Sequence, residues 1–565
     1  MATVKKIKDL EYKRVDVAAE CAYMDDAIAR AKAADSAEAL AAIRAEVNKH
    51  SEKCSTSYAL AYIRHSLDVN DKFYSAEIDY YDENLPQLSA KSTAFTKALI
   101  ESPYIDGLGK IINPIIIENM RAQVRVMDDR IIEDCVEENK LVTEYDKLMA
   151  ELKFPWEGKD LTLEEMRGLA KAADRATRKN ALSVIGTTLE SVSDKLDELY
   201  DKLVKVRTRK AKKMGFANFV EMGDIAIQHI GYGRKEIAVF RESVLRDVVP
   251  TLTRLKAELS KKLGIDSIHL YDNDNYIAGG NIDPVGSAED LFKAAQSMYD
   301  DMHPALGSFF KSMCDAEAID YKARNGKMGG GYAEMLFGFG QPFIFANFNG
   351  TMDDVGVLTH ELGHAFAFKR AVDNDIDVDL FVGGMETAET HSMGMEAMCN
   401  KFNDRFYGER AREATYQQIF DAFNFLPYGV IVDYFQELVY TEPDMTPKER
   451  KALWLKLESE FRPYIDMSDV PYMNIGGRWQ YQHHIYDNPF YYIDYCLSNC
   501  LALQFGELAA VDYDDALERY LGFVDKGGTK RIDDLAHEAG LVSPFDKGAL
   551  KSLCEAVEKH ILSLE

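Results

Sequence analysis

Apolar positions recur at helical spacing over most of the chain, and polar caps mark where the runs begin. Ala-rich periodic stretches predict helices over residues 16–32 and 36–50, then a longer one over 57–81 that stops before Pro86, and another over 119–152. Residues 154–159, PheProTrpGluGlyLys, break the period as a loop or short hairpin. Thr162 with Glu165, Ser287 with Asp290, and Thr446-Pro447 with Glu449 each place a hydroxyl before a helix and an acid three residues in. That pairing satisfies two free N–H groups of a first turn. Residues 233–263 read as a long amphipathic helix interrupted at Pro250. No internal repeat emerges, and the fold class is mainly α.

The character changes at 318–349. Ile319 and Tyr321, a Gly329-Gly330-Gly331 break and the run Phe343-Ile344-Phe345-Ala346-Asn347-Phe348 are strand-like. Helical spacing resumes at Thr351, with Asp354 three residues on as a capping-box-like start and Leu358, Leu362, Ala365 and Phe366 as an apolar stripe. A further helix follows Gly383-Gly384, with Glu386, Glu389, Met393 and Glu396 along one stripe. Near the C-terminus Asn488-Pro489 is expected to open a helix that sets Tyr491 and Tyr495 one turn apart, with Tyr492 adjacent.

Composition narrows the function. The 565 residues are 47% hydrophobic, enough for a large core in one big domain or two intimate ones. A formal net charge of −27 repels phosphate backbones, so nucleic acid is not an expected partner. The basic run at 205–213 reads as a solvated helix face. No apolar run reaches membrane-spanning length, the N-terminal residues carry no signal-peptide segment, and the eight cysteines are scattered, so a cytoplasmic protein is expected.

The chemistry concentrates in HELGH, residues 360–364. His360 and His364 are four apart, so one helix face presents both imidazoles to one ion, and Glu361 beside them can hold a water for activation. A catalytic zinc site needs a third ligand and one open position. Glu386, Glu389 and Glu396 share their helix with Met393, Met395, Met398 and Cys399, so at least one acid is carried inward, where it needs a partner. A metal is a sufficient partner, but spacing does not choose among the three.

The runs PheIlePheAlaAsnPheAsnGlyThr, ValLeuThrHisGluLeuGlyHisAlaPhe and AlaGluThrHisSerMetGlyMetGlu resemble the M3 family of zinc oligopeptidases, in its oligoendopeptidase F and Pz-peptidase branch. LysMetGlyPheAlaAsnPhe, ending at Phe219, is similar as well. The resemblance covers about residues 200–565 by motif and the N-terminal part only by length and helical character, so the domains implied are 1–200 and 201–565. It implies two helical halves enclosing a deep channel, with a small β-sheet beside a gluzincin-type helix whose edge strand pairs with an extended peptide. It implies one zinc ion per chain on His360, His364 and Glu389, with Glu361 as general base acting on internal bonds of short peptides. Glu396 then orients a ligand imidazole. His484 matches the family histidine and His483 is extra; Tyr491 and Tyr495, then Tyr492, are candidate oxyanion donors. Asn347 is a candidate for binding substrate or supporting the ligands, and His391, two residues from Glu389, points elsewhere. Two other readings stand beside this one. A non-catalytic peptide-binding relative would keep the fold, and a helical di-iron protein would use Glu361 and His364 but need a second such unit.

Overall fold

The structure is a computed structural model and describes residues 6–127 and 129–564. Helices dominate, and the chain divides into two compact units, each assembled from three stretches. The first unit comprises Met1–Val124, Asp283–Gly408 and Tyr513–Ala539; the second comprises Arg125–Ile282, Glu409–Asp512 and Gly540–Glu565. The expected boundary at residue 200 falls inside the helix Ser193–Met214 of the second unit. The first 200 residues therefore contribute to both units. Among the described residues no helix is long and apolar enough to cross a membrane.

The first unit opens with Val17–Ala33, Ala37–Leu67 and Lys72–Ile100. Ser36 caps the second, its Oγ accepting from Ala39 N–H at 3.2 Å. That helix runs on to Leu67, through the break expected after residue 50. The third carries Pro86 in its interior, where periodicity predicts a stop. An internal proline costs a helix about 3 kcal/mol. Here buried Tyr81 lies before it and buried Phe95 and Leu99 after it, in two apolar clusters that Leu88 joins, so burial on both sides of the proline holds the helix. The helix expected over 119–152 is two, Pro114–Val126 and Ile132–Glu151, and residue 128 of that span lies outside the described residues.

Among the described residues five strands complete the secondary structure. β1 (Phe154–Trp156) and β2 (Lys159–Leu161) form a hairpin in the second unit. Its two turn residues, Glu157 and Gly158, have φ of 48° and 81°, the left-handed pair that matches strand twist. In the first unit β3 (Ile319–Lys322), β4 (Tyr332–Leu336) and β5 (Gln341–Phe348) form a sheet of order β3-β5-β4. β5 is central, parallel to β3 and antiparallel to β4. Its buried residues Phe343, Ile344, Phe345 and Ala346 read as a continuous apolar run, as a strand covered on both faces should.

In the second unit, Arg234–Ser243 and Val249–Leu263 are joined by one wide turn, Val244–Val248, so the helix expected to be interrupted at Pro250 continues, with the proline in a first turn. The basic run is a solvated face only in part, with Lys205, Arg209, Lys212 and Lys213 exposed. Arg207 is fully buried, with Nε 2.6 Å from Glu138 Oε1, and Lys210 pairs with the same carboxylate. Arg209 Nε lies 2.6 Å from Asp134 Oδ1, and Lys213 pairs with Asp134 too. Four cations of the run thus pair with acids of the neighbouring helix Ile132–Glu151.

A buried charge cluster anchors the first turn of the helix Tyr492–Val511. His229 Nε2 lies 2.6 Å from Asp494 Oδ1 and its Nδ1 3.3 Å from Asp224 Oδ1, while Arg234 binds Asp224 and, at 2.8 Å, Asp433. Burial opposes the imidazolium, but Asp494 and Asp224 outweigh it and raise the pKa from 6.5 to about 10. A raised folded-state pKa contributes stability that is complete below pH 6.5 and lost as pH rises through about 10. The melting temperature is therefore expected to fall as pH rises from neutral through about 10. In His229→Gln it starts lower and this part of the slope disappears; parallel pH profiles for both proteins contradict the assignment.

Candidate active site

β5 delivers the chain to the motif helix, Met352–Asp373, through a turn at Gly350 with φ of 89°. The start at Thr351 is as expected, but the reciprocal cap with Asp354 does not form. Asp354 accepts from Asn349 N–H at 2.9 Å and Gly350 N–H at 2.7 Å, while the Thr351 hydroxyl donates to Asn349 Oδ1 at 2.7 Å instead of capping.

The carboxylate helix, Met385–Cys399, packs backbone-close against the motif helix. A Cβ at Gly363 would lie 2.7 Å from both His391 O and Ser392 Cα and 3.1 Å from Met395 Cβ. The glycine inside HELGH therefore sets the separation of the two helices, and with it the reach of Glu389 toward the histidines. The loop between the helices is pinned by buried Arg44, whose guanidinium lies 2.6 and 2.8 Å from the Asp377 carboxylate and also pairs with Asp379. Gly363→Ala is expected to cost about 1–3 kcal/mol of stability by overpacking and to weaken metal binding. Thermal melts and metal content check this, and an unchanged variant would contradict so close a contact.

The donor atoms of His360, His364 and Glu389 all lie within 4.8 Å of one another. His360 Nε2 is 3.3 Å and His364 Nε2 3.6 Å from Glu389 Oε2. Ser392 donates to the same oxygen at 3.0 Å. The other ring nitrogen of His360, Nδ1, is 2.7 Å from Glu396 Oε1. The geometry thus separates the three acids that spacing leaves open. Glu389 faces both imidazoles, Glu396 faces the far side of one, and Glu386 folds its carboxylate back over Gly384. His391 stays out of the cluster: its ring packs edge-on to Phe523 at 5.6 Å and its carbonyl accepts from Tyr520.

Burial works against ionised Glu389, but His360 and His364 more than offset it and hold its pKa below the ordinary carboxylate range. Burial likewise opposes charge on His360, which Glu389 and Glu396 favour. Glu361 is buried beside this group without being part of it, and burial raises its pKa against the pull of the two histidines. The glycine triplet passes next to it: a Cβ at Gly331 would come within 3.6 Å of Glu361 Oε1. Asn347 binds this same turn, its amide donating to Met328 O at 2.9 Å and Gly330 O at 3.0 Å. Its place is therefore that of a brace for the loop over Glu361.

In the second unit, His484 opens the short helix His484–Asp487. The three tyrosines gather around its ring, with centroids at 5.9 Å for Tyr491, 4.9 Å for Tyr492 and 6.2 Å for Tyr495. The helix bearing them begins at Tyr492, later than Asn488-Pro489 suggests, so Tyr491 is its cap. Arg207 holds the short helix by donating to the carbonyls of Ile485, at 3.4 Å, and Tyr486.

One residue of this cluster, Gln482, went unmarked in the sequence. Tyr428 donates to its Oε1 at 2.9 Å, and its amide nitrogen lies 2.8 Å from His484 Nδ1. An amide NH₂ can only donate, so Nδ1 must accept and the His484 proton sits on Nε2. Burial, with His483 nearby, lowers the His484 pKa to about 3, which keeps that tautomer neutral. Nothing in the local sequence signals this, because Tyr428 is 54 residues away.

Two family models match the chain: Peptidase M3 N-terminal domain over residues 7–127, and Peptidase family M3 over residues 304–555. The structure of Pz peptidase A with an inhibitor superposes with a TM-score of 0.92 and 35% identity over 99% of both chains. The chain belongs to peptidase family M3. Oligopeptidase PepF of Bacillus subtilis (strain 168) is 20% identical over 577 residues, 95% of this M3 peptidase and 82% of PepF. Oligoendopeptidase-F from Enterococcus faecium shares the fold at a TM-score of 0.64 and 15% identity, over 97% of this chain and 98% of that one. The N-terminal match extends the family likeness of this M3 peptidase beyond 200–565, into a stretch where sequence reading finds only length and helical character.

Proposed function

We propose that this M3 peptidase is a zinc metallopeptidase that cuts internal bonds of short peptides. The observation that supports it most is the convergence of His360, His364 and Glu389 within 4.8 Å, with Glu361 buried beside them. Two nitrogens and a carboxylate oxygen are a ligand set of catalytic zinc sites. The bond from Glu396 to His360 Nδ1 leaves Nε2 for the ion, as outer partners of ligand imidazoles do. Bound there, one zinc ion per chain would supply a Lewis acid that polarises the scissile carbonyl and makes water more acidic.

Glu361 holds the attacking water, accepts its proton and later gives it to the leaving amine nitrogen. Its raised pKa brings the carboxyl nearer the pH of operation, where proton transfer in both directions is efficient. β4, an edge of the three-stranded sheet, suits the addition of an extended peptide as a further strand. His484 and a tyrosine, Tyr491 or Tyr495 before Tyr492, donate hydrogen bonds to the oxyanion by the family likeness. The fixed Nε2–H of His484 supports that role, since an oxyanion needs a donor already in place. Eight free cysteines suit a reducing compartment, and we place the protein in the cytoplasm.

Gln482→Glu puts an acceptor against Nδ1, moves the proton to that nitrogen and raises the His484 pKa. The expected result is a fall in kcat toward the ~10²–10³-fold typical of a lost oxyanion donor, little change in KM, and an upward shift of the His484 titration by NMR. Unchanged kcat with a shifted titration would remove His484 from the reaction. The wider reading is tested by mass spectrometry of products from peptides of graded length. Cuts at internal bonds are expected, and removal of units from one end alone would contradict it.

A further inference from the structure

Among the described residues one other group of mixed donors converges as the catalytic one does. Glu20, on Val17–Ala33, and His50 and Cys54, on Ala37–Leu67, bring a carboxylate oxygen, an imidazole nitrogen and a thiol sulfur within 4.8 Å of one another. The construction repeats that of His360, His364 and Glu389. Two donors four residues apart share one helix face, and a carboxylate reaches in from the adjacent helix. His50 Nε2 is 2.6 Å from Glu20 Oε2, and the ring of Tyr23 stacks on the imidazole at 3.9 Å between centroids, which fixes its plane. The His50 and Glu20 side chains keep 33% and 20% of their exposure, so an ion can enter from solvent.

We propose that Glu20, His50 and Cys54 form a second metal site, for a divalent ion of the zinc class, that ties the first two helices of the chain together. A thiolate, an imidazole and one carboxylate are a ligand set for zinc or cobalt and not for magnesium or calcium, which take oxygen. On binding, the Cys54 S–H bond breaks, its proton leaves to solvent and a sulfur–metal bond forms. A thiol must lose its proton to bind, so metal uptake weakens as pH falls and protons compete for the sulfur.

Cobalt separates this site from the catalytic one, because only a thiolate ligand gives a sulfur-to-cobalt charge-transfer band in the near ultraviolet, and the catalytic cluster contains no cysteine. The full-length protein is stripped with a chelator and titrated with Co²⁺ while absorbance and bound metal are followed. The expected result is the band together with a second equivalent of metal in the wild type. Both are lost in Cys54→Ser and His50→Gln, and the band is retained in Glu389→Gln, which loses only the catalytic ion. Wild-type protein that binds a single equivalent without the band overturns the proposal, as does a band that persists in Cys54→Ser. If Cys54→Ser does not fold, His50→Gln and the wild-type titration decide alone.

Discussion

Glu361→Gln is expected to keep its metal and lose turnover by on the order of 10²–10⁴-fold, the usual worth of a positioned general base. The amide has the size and polarity of the carboxyl, but it cannot take a proton from water. KM for a short peptide should change little, because the role proposed for Glu361 is toward water and not toward the peptide's side chains. Stability should move the other way from activity. Burial raises the Glu361 pKa, so the ionised carboxylate destabilises the fold at every pH above that value, and a neutral amide relieves the cost. Metal-free Glu361→Gln should therefore melt no lower than the metal-free wild type. Full activity in this variant at stoichiometric zinc would rule out Glu361 as the base. A lower melting temperature would contradict the burial argument.

Glu389→Gln and Glu396→Gln should separate a ligand from the residue that orients a ligand. Loss of an outer partner such as Glu396 typically lowers metal affinity by about 10–100-fold. Activity should then return at high zinc, because His360, His364 and Glu389 remain. Glu389 sits within 3.3 and 3.6 Å of the two imidazole nitrogens, so its replacement should cost more affinity than that, and added zinc should not restore turnover. Isothermal titration with zinc, run beside peptide cleavage, reads both quantities. If Glu396→Gln proves the more severe change, the two roles are reversed.

The histidine pair of the candidate site was legible because it is local. HELGH puts both histidines on one helix face, and the acids of the next helix repeat at the same spacing. What spacing cannot supply is the rotation of one helix against the other. That depends on Gly363 meeting the backbone of His391 and Ser392, a contact between residues nearly thirty positions apart, and it selects Glu389 over Glu386 and Glu396. Gln482 was hidden for a similar reason, since its role comes from Tyr428 on another helix. The helical class and the short sheet followed from periodicity. The local signal failed where tertiary burial overrode it, as at Pro86, and where one member of a mostly exposed charge run, Arg207, turns inward to pair with Glu138. The two units could not be read from composition, because each draws on three separated stretches of chain.

The most direct test is cleavage of an internally quenched short peptide by the purified protein, before and after chelation and again after zinc is restored, beside a folded protein substrate. Cleavage of the peptide alone is expected, abolished by the chelator and recovered with zinc. Cleavage that survives complete removal of metal, or no cleavage of any peptide in a varied set with zinc bound, would contradict the zinc-peptidase reading.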